Sequence, residues 1–286
     1  MTPEVSRVAV VGAGDMGHGI AELFAMNGYD VTLMDKFPEA LEKAKTRIAE
    51  SLGKLAERGR LTKAQADEAY SRIAFTGDMA KAASGADLVI EAVPEIPELK
   101  KSVLKDAAGV APRETILASN TSNIRITELA EGVAFPDRVV GMHFFNPVPV
   151  MKLVEVIRGL ATSQVTYDTV RDLAVKLEKT PVEVNDAPGF VSNRVLMPLL
   201  NEAMFAVMEG VATPQAVDEV FKLGMAHPMG PLTLADFIGL DVCLDIMRVM
   251  HDGLGDPKYR PCPLLVKMVD AGWLGQKSGR GFYTYS

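Results

Sequence analysis

The stretch Val8-Ala9-Val10-Val11-Gly12-Ala13-Gly14-Asp15-Met16-Gly17 carries the strongest indication of the fold. Its four apolar residues predict a buried parallel strand, and residues 16–27 have the pattern of a helix that stops at Gly28. A strand, a glycine loop and a helix in this order are typical of a dinucleotide-binding unit. The glycines permit a tight turn, a close backbone approach to a pyrophosphate and close helix packing, while the helix N-terminus attracts phosphates.

An acidic residue follows the second predicted strand, which covers residues 31–34. Asp35 lies 23 residues after Gly12, at a place where a carboxylate accepts hydrogen bonds from ribose hydroxyls. Because Asp35 would repel a 2′-phosphate, NAD is favoured over NADP, although the adjacent Lys36 weakens this preference. FAD and a purely structural turn are the alternatives. The cofactor contacts expected here are Gly12, Ala13, Gly14, Asp15, Met16, Gly17 and Asp35.

Strand and helix patterns continue to alternate after this unit, with further short apolar strands at residues 88–93 and 115–118. The alternation predicts the α/β class, with a Rossmann-type, mostly parallel sheet that has helices on both faces. Polar residues follow the second of these strands. In such a sheet ligands bind beyond the carboxyl ends of strands, so Ser122 is placed where a hydroxyl meets a substrate. The alternative for Ser122 is a helix N-cap.

A second informative segment is His143-Phe144-Phe145-Asn146-Pro147-Val148-Pro149-Val150-Met151-Lys152-Leu153-Val154-Glu155. Two apolar runs flank its prolines, which cannot donate to a strand ladder and therefore favour a chain reversal at residues 146–150. The runs are expected to pair antiparallel, and this register puts His143 almost opposite Glu155. A carboxylate on one ring nitrogen suits the other nitrogen to take up a proton. A surface His–Glu pair is the alternative.

The sequence pattern changes after residue 185. We therefore expect a Rossmann-type domain at residues 1–185 and a smaller, mainly α-helical C-terminal domain at residues 186–286. Asn193 lies in the first of its helices, either as a functional residue or as a polar residue packed at a domain interface. The apolar, methionine-rich pattern of this helix favours a homodimer. Helical patterns cover residues 190–209, 213–223, 236–250 and 264–271, and a short strand is predicted at residues 282–285.

Composition excludes several classes of protein. The 286 residues carry a net charge of −7, which argues against nucleic acid as a partner because phosphate binding needs a basic face. No apolar run reaches the ~18 residues of a membrane span, and no secretory signal is recognised. Cys243 and Cys262 match neither metal nor redox spacing, so we expect reduced thiols, no metal site and a cytoplasmic protein.

Taken together, these motifs resemble the 3-hydroxyacyl-CoA dehydrogenase family in its short-chain form. The resemblance extends over essentially the whole chain and rests on VGAGDMGHGIA, EAVPE at residues 91–95, ASNTSNI, GMHFFNPVPVMKLVEVI, DAPGFVSNR and KSGRGFY. It implies NAD-dependent, reversible oxidation of a (3S)-3-hydroxyacyl-CoA, with 3-hydroxybutyryl-CoA as the expected substrate. A dehydrogenase of a free β-hydroxyacid and a non-catalytic dinucleotide-binding protein are the alternatives.

The resemblance also implies roles for individual residues. His143 matches the catalytic base and Glu155 the carboxylate that orients it, while Ser122 and Asn193 match polar partners of the reacting oxygens. Four further residues match cofactor contacts, namely Glu95, Lys100, Lys277 and, at the nicotinamide end, Asn146.

Coenzyme A contacts are expected near Ser51, Lys54 and Arg58. Together with Lys43 and Arg47, the two basic residues Lys54 and Arg58 share one face of the predicted helix at residues 38–58, and this positive stripe suits the phosphates of coenzyme A. The alternative is a solvated face that is neutralised by glutamates at i,i+4 spacing.

Overall fold

The computed structural model describes residues 4–285, which form two compact units that meet in sequence at Asp186 and Ala187. The first unit is an eight-stranded sheet with helices, and the second is helical. The α/β class with a helical C-terminal part is therefore confirmed. Among residues 4–285 no helix is long and apolar enough to cross a membrane.

The sheet has the strand order β3-β2-β1-β4-β5-β6-β7-β8, and all neighbours are parallel except β6 and β7. Strand β3 extends the sheet at an edge where the sequence pattern had not indicated a strand. The strands are β1 (Arg7–Val11), β2 (Asp30–Met34), β3 (Ile73–Thr76), β4 (Leu88–Glu91), β5 (Ile116–Ser119), β6 (Val139–Phe144), β7 (Leu153–Arg158) and β8 (Thr180–Asn185).

Helices of the first unit cover the sheet and bury an apolar core that extends from the glycine-loop helix to α7. They are α1 (Asp15–Met26), α2 (Pro38–Glu57), α3 (Lys63–Ser71), α4 (Met79–Ala83), α5 (Pro97–Val110), α6 (Ile126–Leu129) and α7 (Gln164–Lys176). Local sequence sets several of their ends. Helix α1 ends before Gly28, whose φ of +85° leaves the helical region, and α3 begins with a capping box between Thr62 and Gln65.

The second unit has its own core, which contains most of its methionines and both buried cysteines. Its helices are α8 (Ser192–Met208), α9 (Pro214–Glu219), α10 (Pro231–Ile238), α11 (Leu240–Leu254) and α12 (Pro263–Asp270). Helix α9 continues into a π-helical turn at Val220–Gly224.

Two predictions for the second unit are wrong. The expected helix at residues 236–250 is divided between α10 and α11, because Gly239 has a φ of +104° that no helix accommodates. The expected strand at residues 282–285 is reduced to an isolated bridge from Arg280 to Thr284. Instead, the hydroxyl groups of Tyr283 and Tyr285 donate to the buried carboxylates of Asp218 and Asp236 at 2.8 and 2.9 Å.

A buried carboxyl in α1 gives the first unit a pH-dependent stability. Glu22 is almost fully buried and accepts a hydrogen bond from the Ser51 hydroxyl of α2 at 2.7 Å. Burial raises the pKa of Glu22 to about 7, against the opposing effect of the Ser51 hydrogen bond. Between about pH 4.5 and 7 the folded protein therefore keeps a proton that the unfolded chain releases.

We expect this carboxyl to lower the free energy of unfolding as pH rises from about 4.5 to 7, by up to ~3 kcal/mol, with no further loss above pH 7. Glu22→Gln should remove that slope, which denaturant melts between pH 4.5 and 8 would measure. Glu39→Gln, at an exposed position of α2, is the control. An unchanged slope in Glu22→Gln would contradict the assignment.

Candidate active site

The glycine loop has the geometry of a phosphate-binding turn. A Cβ on Gly12, whose φ is +103°, would lie 2.7 Å from the carbonyl oxygen of Ala92, and one on Gly17 would lie 1.7 Å from that of Gly12. Both positions therefore require glycine. By contrast, a Cβ on Gly14 would meet nothing within 4 Å, so space for a ligand exists beside the N-terminus of α1.

The acidic residue after β2 is tied to this loop. Asp35 accepts the backbone N–H of Ala13 at 2.8 Å through one carboxylate oxygen and that of Phe37 at 3.0 Å through the other. The half-buried carboxylate is thus held beside the loop, where an adenosine ribose is bound in dinucleotide folds. Asp15, at the start of α1, forms an ion pair with Arg47 of α2.

The histidine and glutamate of the strand pair meet as the register predicted. His143 on β6 and Glu155 on β7 are directly opposite each other, and Nδ1 of the ring lies 2.7 Å from Oε2 of the carboxylate. Their exposed fractions are 7% and 2%, which rules out a solvated surface pair. Glu155 engages Nδ1 and so fixes the orientation of the ring, and proton exchange with a ligand would use the other nitrogen, Nε2.

The turn after His143 is stabilised by hydrogen bonds from a buried lysine, Lys179. The ammonium group of Lys179 donates to the carbonyl oxygens of Val148 and Met151 at 2.7 and 2.8 Å. Burial lowers the pKa of Lys179. Asn146 is exposed within this turn, while Val148 packs against α1, where a Cβ on Gly19 would lie 3.1 Å from it.

The segment that follows β5 carries Ser122, which is half-buried. Glu95 accepts the backbone N–H groups of Ser122 and Asn123 at 3.0 and 3.1 Å and the hydroxyl of Thr121. Lys100 is 1% exposed, and its ammonium group lies 3.3 Å from the other Glu95 oxygen. The structure therefore brings Ser122, which the resemblance matches to a substrate contact, together with Glu95 and Lys100, which it matches to cofactor contacts.

Sequence reasoning missed two buried partners of this segment. Glu91 ends β4 and binds the Lys100 ammonium at 2.9 Å, and Asn120 accepts the N–H of Phe144 at 2.9 Å. A carboxylate at the end of an otherwise apolar strand was the available signal for Glu91. Nothing in the local pattern indicated the contact of Asn120, because its partner lies 24 residues away.

The remaining predicted residues lie on or just after α2 and in the second unit. Ser51 binds Glu22, while Lys54 and Arg58 are exposed on and just after α2. In the second unit, Asn193 is half-buried in the first turn of α8, which follows positive φ angles at Gly189 and Phe190. Lys277 forms an ion pair of 2.6 Å with Asp241. Among residues 4–285 no cluster of side chains suits a metal ion.

Comparison with known proteins identifies relatives over the whole chain. Residues 7–187 match the NAD binding domain of 3-hydroxyacyl-CoA dehydrogenase, and residues 189–285 match the C-terminal domain of 3-hydroxyacyl-CoA dehydrogenase. A probable 3-hydroxybutyryl-CoA dehydrogenase of Bacillus subtilis is 57% identical over 99% of this chain and 98% of its own. The crystal structure of (S)-3-hydroxybutyryl-CoA dehydrogenase from Ralstonia eutropha has 47% identity and a TM-score of 0.96, covering 99% of this chain and 100% of that one.

Proposed function

Since the chain belongs to the 3-hydroxyacyl-CoA dehydrogenase family, we propose that it oxidises (3S)-3-hydroxyacyl-CoA to 3-ketoacyl-CoA with NAD, and catalyses the reverse reduction. Because its relatives are named 3-hydroxybutyryl-CoA dehydrogenase, we propose 3-hydroxybutyryl-CoA as the substrate. The observation that carries the proposal is the buried His143–Glu155 pair, which lies in the same unit as the glycine loop.

The residues of the first unit fit NAD. The open space beside Gly14 and the N-terminus of α1 suit its pyrophosphate, and Asp35 suits an unphosphorylated ribose. When bound, NAD supplies the hydride acceptor of the reaction. We assign Asn146, Glu95, Lys100 and Lys277 to the cofactor's surroundings, together with Gly12, Ala13, Asp15, Met16 and Gly17.

His143 and Glu155 move the proton that accompanies the hydride. As the C3–O bond of the alcohol becomes a carbonyl, Nε2 of His143 takes the hydroxyl proton, and the Glu155 carboxylate stabilises the resulting imidazolium. In the reverse direction the imidazolium returns this proton to the carbonyl oxygen. We assign the hydroxyl of Ser122 to a hydrogen bond with the substrate oxygens, and give Asn193 the same role from its motif alone.

Replacing the proposed base should lower the turnover rate and leave the affinity for the cofactor unchanged. We expect His143→Gln to lower kcat for acetoacetyl-CoA reduction by ~10²- to 10⁴-fold, the usual contribution of positioned proton transfer, while NADH binds as in the wild type. Steady-state kinetics and NADH fluorescence titration measure the two effects. His251→Gln, on α11 and outside the proposed machinery, should keep wild-type turnover. Near-normal turnover in His143→Gln would disprove the assignment.

The basic stripe of α2 supports a coenzyme A substrate. The alternative required glutamates to neutralise it, but among residues 4–285 Lys43, Lys54 and Arg58 have no carboxylate oxygen within 4.0 Å. Arg47 alone is paired, with Asp15 rather than with a helix neighbour. We therefore assign Lys54, Arg58 and the nearby Ser51 to the nucleotide end of the substrate, where positive charge meets its phosphates.

A charge reversal in this stripe should weaken the binding of substrates that carry the nucleotide and leave the binding of other thioesters unchanged. We expect Lys54→Glu to raise KM for acetoacetyl-CoA roughly fivefold, since an exposed charge pair contributes ~1 kcal/mol. KM for the N-acetylcysteamine thioester, which lacks the nucleotide, should not change. Lys176→Glu, at an exposed position of α7, is the control. Equal increases in KM for both thioesters would refute the contact, and higher activity on free 3-hydroxybutyrate would favour the free-acid alternative.

We further propose that the protein is a cytoplasmic homodimer in short-chain fatty acid metabolism, with residues 1–185 binding the cofactor and residues 186–286 forming the dimer contact. Two buried cysteines without a disulfide suit a reducing compartment. The second unit exposes large apolar side chains around the π-helical turn, a pattern that marks protein interfaces. They are Val211, Val220, Leu223, Met225 and Phe237.

A lysine within this apolar surface should weaken the dimer. We expect Leu223→Lys, at a position that is 84% exposed, to shift the mass in sedimentation velocity from dimer towards monomer. Leu160→Lys is a matched control, because Leu160 is 90% exposed but belongs to the first unit. A Leu223→Lys variant that retains the dimer mass, or a monomeric wild type, would contradict this interface.

A further inference from the structure

A buried carboxylate lies at the end of β4, and the proposed chemistry leaves it without a role. Glu91 is fully buried, and its carboxylate accepts two hydrogen bonds from the Lys100 ammonium, at 2.9 and 3.1 Å, and one from the Ser119 hydroxyl. The backbone N–H of Val93 donates to it at 3.3 Å. Burial raises the pKa of Glu91, and the positive charge of Lys100 opposes this shift.

Lys100 connects this carboxylate to a second one. Its ammonium group also donates to the carbonyl oxygen of Val93 at 3.0 Å and lies 3.3 Å from Oε2 of Glu95. The three donors of a lysine are therefore satisfied inside the protein. Lys100 is thus suited to hold Glu95 in place.

Glu95 in turn fixes the backbone that carries Ser122. Its Oε1 accepts the N–H groups of Ser122 and Asn123 and the hydroxyl of Thr121, so one oxygen anchors three consecutive residues. If Glu95 rotates away, both N–H groups lose this acceptor, although that of Asn123 still faces the Thr121 hydroxyl oxygen at 3.3 Å, and the Ser122 hydroxyl moves with its backbone. The orientation of Glu95 therefore controls the position of Ser122.

The same cluster adjoins the strand of the proposed base. The backbone N–H of Asn120 donates to the carbonyl oxygen of Glu91 at 3.0 Å. The side-chain oxygen of Asn120 accepts the N–H of Phe144, which belongs to the peptide group that joins His143 to Phe144. A continuous set of contacts thus runs from Ser122 to the strand of His143. It consists of hydrogen bonds, except for the ion pair that joins Glu95 to Lys100.

Buried ion pairs add little net stability, because desolvation of the charges offsets their attraction. Their measurable effect is on geometry when they hold a functional group in one arrangement. From these contacts we infer that Glu91 is a positioning residue, which acts through Lys100 and Glu95 to orient Ser122 towards the substrate; this inference rests on the proposed function.

The test is a double-mutant cycle of Glu91→Gln and Ser122→Ala in the full-length protein, with acetoacetyl-CoA and NADH. If Glu91 acts through Ser122, Glu91→Gln should lower kcat/KM for the thioester about tenfold in the Ser122 background and hardly at all in Ser122→Ala. A purely structural role would instead lower kcat/KM by the same factor in both backgrounds, and that result would overturn the inference.

Glu22→Gln is the matched control, because Glu22 is a buried glutamate of the same unit with a different partner. Its effect on kcat/KM should be the same in both backgrounds. If Glu91→Gln fails to fold, Glu95→Gln, whose side chain is 35% exposed, should show the same coupling to Ser122→Ala. Additivity of Glu95→Gln would again overturn the inference.

A readout independent of turnover distinguishes this inference from the proposed function. Backbone amides of Ser122 and Asn123 should exchange hydrogen faster in Glu91→Gln than in wild type or Glu22→Gln, because Glu95 no longer holds them. Unchanged exchange would overturn the inference even in an active enzyme. A wild type that fails to reduce acetoacetyl-CoA would instead disprove the proposed function, while the exchange rates still decide whether the network orders Ser122.

Discussion

The parallel ladder is the constraint on which the other features depend. It aligns Val11, Glu91, Ser119 and Gly141 in one row across β1, β4, β5 and β6. Because parallel strands end at one edge of a sheet, the glycine loop, the Lys100–Glu91 pair and the Ser122 segment all follow from this row. Residues that are far apart in the chain thereby become neighbours through backbone hydrogen bonds.

The single antiparallel pair in this sheet carries the two residues to which we assign proton transfer. Strand β6 extends beyond the end of β5, so His143 finds its cross-strand partner on β7. The Asn120 side chain supplies the acceptor for Phe144 that β5 no longer provides. The side chain of Asn120 thus replaces a backbone acceptor at the point where β5 ends and the chain turns towards Ser122.

Several ionisable groups are buried here, and a contribution to the free energy of folding does not explain why. Glu91, Lys100, His143 and Glu155 are all inaccessible or nearly so, and each is satisfied by a polar partner. The desolvation cost of such groups is substantial, whereas an apolar replacement would pack without it. Ligands of open α/β sheets bind beyond the carboxyl ends of the strands, and the location of these groups near that edge supports the proposed role in positioning.

Local patterns in the chain were enough to establish the βαβ start, the position of Asp35 and the pairing of His143 with Glu155. Each depends on short-range rules: glycine spacing, strand length, and two prolines that force a reversal between apolar runs. Such rules did not predict that Gly239 separates α10 from α11. Nor did they predict that Asp218 and Asp236 bind the hydroxyl groups of Tyr283 and Tyr285. Likewise, Glu91 has a partner on β5, Ser119, that only strand alignment brings within hydrogen-bonding distance. Periodicity reports which face of an element is buried, whereas the partner of a buried charge depends on which elements become neighbours.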